Sequence, residues 1–127
     1  MADAKSTYLE NKILDHVLRS VAYTDPAAVY LALFTSDPGE AGGGSEVTGG
    51  SYARQAITFA AASAGACASS ADVVFSGMPA ATVTHVAIFD ASTAGNMLYY
   101  KALSPSITAA LNDDITFPSG NITVTEA

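Results

Sequence analysis

The side chains that could do chemistry are few and scattered. There are two histidines, His16 and His85, and one cysteine, Cys67. A zinc site needs three or four nitrogen or sulfur ligands, and these three residues have no ligand spacing. Cys67 lies between Ala66 and Ala68 with no adjacent base to lower its pKa, so it reads as a small buried thiol that forms no internal disulfide. Paired carboxylates occur at Asp113-Asp114 and at Asp37 with Glu40. The first pair follows Asn112 and the second flanks Pro38-Gly39, which is ordinary turn chemistry without the regular ligand spacing of a calcium loop.

Two further chemistries fail on residue type. The glycines at 42, 43, 44, 49 and 50 could cradle a phosphate only with a Gly-Lys-Ser/Thr ending that opens a helix. Here Gly44 is followed by Ser45-Glu46, and a carboxylate repels phosphate. A serine nucleophile on a G-x-S-x-G elbow is missing as well. The expectation is therefore no catalytic residue, no metal, no cofactor and no enzyme. Arg54 is the sole base between Arg19 and Lys101 and stands where a strand leaves the glycine-rich loop. With five directed donors, it reads with Tyr52 as a loop anchor or an interface residue.

The elements that position these residues are mostly strands. Thr7 and Glu10 form a T-x-x-E capping box, and Leu9, Ile13, Leu14, Val17, Leu18 and Val21 follow at helical spacing. This predicts a helix over Tyr8 to Ala22, within 7–22, ended by Asp25-Pro26 and docked on the sheet or on a neighbouring subunit. Val29 to Thr35 is apolar on both faces, as a central or covered strand is. Arg54 to Ala60, Val73 to Phe75, Thr82 to Ala91, Met97 to Leu103, Ile115 to Phe117 and Asn121 to Thr125 read as further strands, and Ala60 to Ala71 as strand or loop. In the strand over 82–91, Val86 and Ile88 share one face while His85, Ala87 and Phe89 share the other. The fold class expected is mainly β: one domain over 1–127, an antiparallel β-sandwich over 28–125, jelly-roll-like, with 7–8 short strands, one N-terminal helix and a mobile glycine-rich loop over 39–52.

A chain of 127 residues buries roughly two-thirds of its unfolded surface, enough for a core without staples. Charged residues make up 13%, about half the usual ~25%. Such a low share points to surface covered by neighbours, hence assembly into a homo-oligomer, although an alanine- and serine-rich monomer surface explains the composition almost as well. Net charge is −7, from 12 acids and 5 bases. Without a basic cluster, nucleic acid is not an expected partner. No signal peptide or apolar run of membrane-spanning length is visible, so neither secretion nor a membrane is expected and synthesis is cytoplasmic.

Three segments carry a family likeness: Tyr30-Leu31-Ala32-Leu33-Phe34-Thr35-Ser36-Asp37-Pro38, Glu46-Val47-Thr48-Gly49-Gly50-Ser51-Tyr52-Ala53-Arg54-Gln55 and Val83-Thr84-His85-Val86-Ala87-Ile88-Phe89-Asp90-Ala91. With Glu10-Asn11-Lys12-Ile13-Leu14-Asp15-His16, they resemble a family of small tailed-bacteriophage virion proteins, often labelled tail fibre or minor structural proteins. The likeness spans Tyr8 to Thr125. It departs at Met78-Pro79-Ala80-Ala81, where family members often carry a tryptophan and this chain has none. The resemblance implies a virion component, made in the host cytoplasm, with no catalytic residues. A compact acidic domain then suggests a capsid decoration (cement) protein bound to the major capsid protein or another virion protein. The alternative is a tail or neck fibre component, or a receptor- or glycan-binding module using Tyr52, Tyr99 and Tyr100. The expected interface residues are Leu9, Ile13, Val17, Glu46, Tyr52 and Arg54.

Overall fold

The computed structural model describes residues 4–125. Nine strands and one helix follow in order: β1 (Ala4–Lys5), α1 (Thr7–Arg19), β2 (Val29–Phe34), β3 (Gln55–Ile57), β4 (Ala66–Ala68), β5 (Val73–Met78), β6 (Ala81–Phe89), β7 (Met97–Ala109), β8 (Asp113–Phe117) and β9 (Thr123–Thr125). The chain is mainly β, as its alternating patterns predict. Every pairing is antiparallel. One layer is a five-stranded sheet in the order β1-β7-β6-β2-β3, and two separate ribbons, β4-β9 and β5-β8, make the other. The arrangement is sandwich-like, with a divided second layer.

Alternation explains where the core lies. On β2, Leu31 and Leu33 face the ribbons. On β6, Val83, Val86 and Ile88 do the same, meeting Val73, Phe75 and Met78 of β5 and Ile115 and Phe117 of β8. Ala32, Phe34, Ala87, Phe89 and Met97 form a second buried cluster. Adjacent residues of a strand point to opposite faces, so this cluster lies on the other side of the same sheet. β2 and β6 are therefore apolar on both faces because both faces are covered.

The helix begins at Thr7, so its cap lies one residue before the Thr7–Glu10 box. Ser6 is the N-cap, accepting the Leu9 N–H at 3.2 Å. Its hydroxyl is buried and also donates to the Met97 carbonyl oxygen. That tertiary bond, which no local pattern encodes, selects Ser6 over Thr7. The helix also ends before Ala22, because Ser20 adopts a left-handed conformation (φ 59°) and the Val21 N–H turns back to the Asp15 carbonyl at 3.1 Å.

β7 is much longer than the Met97 to Leu103 expected. Pro105 normally argues against a strand because it has no N–H to donate. Here the register passes from His85↔Ala102 to Val83↔Ile107, so Leu103 to Ser106 bulge out opposite Thr84 and the ladder resumes beyond. Among the described residues, β1 pairs with β7 at Tyr99 and Tyr100. A bulge containing proline blunts the rest of that edge against unwanted strand pairing.

Candidate functional site

The structure gathers three of the six expected interface residues into one cluster. Arg54 enters β3 from the loop and meets Glu46 with two parallel bonds, Nε to Oε2 and Nη2 to Oε1, each 2.9 Å. Nη1 donates to the carbonyl oxygens of Ala91 at 3.0 Å and Ala94 at 2.8 Å. The guanidinium also lies over the Phe89 ring, 3.8 Å from its centroid. The Tyr52 hydroxyl donates to Glu46 Oε2 at 2.7 Å and accepts the Leu33 N–H at 3.0 Å. Its ring stacks on Phe75 with centroids 5.9 Å apart. Only 9% of the Arg54 side chain and 25% of that of Glu46 are exposed.

Such bidentate, charge-assisted pairs fix geometry as well as energy. Arg54 joins the loop after β2, the start of β3 and the turn between β6 and β7. Glu46, Tyr52 and Arg54 are thus internal anchors. With these partners already engaged, the cluster is a staple rather than an open ligand site.

What it staples is the glycine-rich loop. That loop, expected to be mobile, is folded back over the outer face of the sheet. Pro38 is buried. The Thr35 N–H bonds the Ser45 carbonyl at 2.8 Å, and the Glu40 carbonyl accepts the Thr7 N–H of the helix at 3.0 Å. A Cβ on Gly42 would lie 3.8 Å from the Met97 Cβ. Gly44 has φ 79°, and a Cβ there would come within 2.8 Å of the Asp37 carbonyl oxygen. Glycine is needed because the loop doubles back on itself above Phe34 and Met97.

Burial pushes the Tyr52 phenol pKa up from its ordinary 10.0, and the hydrogen bond to Glu46 adds to the rise against an opposing one from the Leu33 N–H. A phenol held above its unfolded value contributes stability that is complete below pH 10.0 and is lost as the pH climbs through the folded value. In an alkaline titration followed by phenolate absorbance, Tyr52 is expected to ionise only as the fold opens. The late component should vanish in Tyr52→Phe. Loss of the Tyr52 proton near pH 10.0 with the fold intact would contradict this environment.

The remaining expectations divide. Leu9 is 5% exposed and packs in the chain's own core. Ile13 is half-buried against that core, while Val17 is 68% exposed. The three tyrosines of the receptor reading are not brought together. Tyr99 packs toward the main core, Tyr100 toward the cluster on the opposite face, and Tyr52 is held inside. His85 Nδ1 pairs with the Thr84 hydroxyl at 2.8 Å and its Nε2 lies 3.9 Å from Asp37. His16 is exposed. Asp113 and Asp114 accept the Ala110 and Gly77 N–H groups, and Asp37 accepts that of Gly39. Cys67 is free and half-buried. Among the described residues, no three His, Cys, Asp or Glu side chains are grouped to hold a metal ion. Missed entirely were Phe89 and the carbonyls of Ala91 and Ala94, since a main-chain acceptor leaves no mark on residue type.

Residues 4–125 match the model of a family described as podophage GP4 fiber I protein gp80. The chain belongs to this family. No curated protein matches it. Membership in the fiber I family makes the chain a fibre-type structural protein of a tailed-phage virion. The matched span includes every element of the sandwich, the stapled loop and the helix.

Proposed function

We propose that this fiber I protein is a non-catalytic module of the phage tail's fibre apparatus, held in place by contacts with other virion proteins and with its own copies. The family match over residues 4–125 carries this reading. It takes precedence over capsid decoration, which rested on compactness and acidity, properties that do not distinguish head from tail. Interior anchoring of Arg54, Glu46 and Tyr52 supports a scaffold role over catalysis. The net charge of −7 makes DNA a poor partner.

Counting copies per particle tests this. In purified virions digested with trypsin and quantified against labelled peptides, the chain should be present in the low, fixed number set by a tail's attachment sites. A copy number comparable to that of the major capsid protein would reinstate decoration.

A further inference from the structure

The helix carries more apolar surface than its own chain uses. At about 100° per residue, Leu14 and Leu18 are turned away from Leu9, and Val17 stands to its side at about 80°. Leu14 is 53% exposed, Val17 68%, Leu18 74% and Val21, just past the helix, 44%. Spacings of three and four residues align Leu14, Val17 and Leu18 as a ridge on the helix, and Val21 follows beyond its end.

A matching recess lies elsewhere on the molecule, between the main sheet and the β4-β9 ribbon. Two adjoining hollows of about 470 and 280 Å³ share Ile88, Tyr99 and Val124. The smaller is walled by Val29, Phe59, Cys67 and Leu98. It is edged by Ala62 and Gly65, both exposed. No residue of α1 lines either hollow, and among the described residues neither has an aspartate or glutamate in its wall.

Charge selects the occupant. Two copies of a chain with net charge −7 repel one another unless they meet where acids are missing or balanced. Among the described residues the recess has no acidic side chain in its wall, which carries Lys101, and along α1 Glu10 and Asp15 are matched by Lys12 and Arg19, with Asp15 bonded to Arg19 at 3.1 Å. We propose that the Leu14–Val17–Leu18–Val21 ridge of one copy docks in the recess beside β4 and β9 of a second copy. This rests on the reading of the chain as an assembly module and names its partner as itself. Ridge and recess are different patches, so the contact is head-to-tail. Each added copy leaves one ridge and one recess free, which builds a ring or a filament.

Sedimentation of the full chain over a concentration series tests this with two surface variants, Leu18→Glu on the ridge and Ala62→Glu at the recess mouth. Both sites are exposed, so circular dichroism and melting should match wild type. Wild type should grow beyond a dimer as concentration rises. Each variant alone should associate at least about tenfold more weakly, because a charge is forced into an apolar contact. Mixed one to one, the variants should form a dimer and stop, since L18E still offers its recess and A62E its ridge. In wild type and in that mixture, association should shield Cys67 from a thiol reagent. Wild type that stays monomeric, A62E that associates like wild type, or a mixture that stays monomeric would overturn the proposal. None of these results alters the copy number per virion, so failure here is distinguishable from failure of the fibre reading.

Discussion

Phe75→Ala is expected to lower stability by about 4 kcal/mol, read as a shift in denaturant midpoint at unchanged slope. Phe75 is 1% exposed. Its ring stacks on Tyr52 at 5.9 Å and meets Phe117 edge-on at 6.0 Å, so it joins the loop anchor to β8 through the middle of the core. Truncation removes the transfer energy of the ring and leaves a cavity, because strands on both sides hold the walls apart. Domains are stable by only about 5–15 kcal/mol, so this one change consumes a large share. A loss below about 1.5 kcal/mol would mean that Phe75 is not packed between Tyr52 and Phe117.

Arg54→Ala is the second large effect, expected at about 3 kcal/mol. Breaking a largely buried pair by removing one partner costs about 3–5 kcal/mol, and the 25% exposure of Glu46 places this pair at the low end. The variant strips both bonds from Glu46, both donors from the Ala91 and Ala94 carbonyls, and the cation from the face of Phe89. Arg54→Lys should recover less than half, since an ammonium cannot bridge a carboxylate and two carbonyls at once. With Glu46→Ala added, the double variant should lose at least about 1 kcal/mol less than the sum of the two single changes, the mark of direct coupling. Limited proteolysis should also cut Arg54→Ala within 36–45, where wild type is protected. An Arg54→Ala chain within about 0.5 kcal/mol of wild type, with an uncut loop, would contradict the staple.

The parts of this fold that were legible in the sequence are those with a period. Alternation placed Val86 and Ile88 on one face and Ala87 and Phe89 on the other, and the double-sided apolar run at Val29 to Thr35 marked a strand covered on both sides. Contacts made at long range were not legible. Ser6 caps the helix because it reaches Met97, and β7 runs through Pro105 because a bulge accommodates it. Tyr52 and Arg54 were recognisable as anchors or interface residues by type and by their place beside the loop, and Glu46 only as an interface residue. Whether they faced a neighbour or the interior depended on Phe75, Phe89 and two carbonyls far along the chain. The helix misled in a different way. Six apolar residues at helical spacing looked like one face, yet the arc is too wide for one contact, so Leu9 enters the core while Leu14, Val17 and Leu18 stay outside.

Location on the particle is the most direct measurement of the central claim. Antibody or gold label against this chain on intact, negatively stained virions should cluster at the tail, on or beside the fibres. Label distributed over the head, with bare tails, would contradict the account and return the chain to the capsid surface.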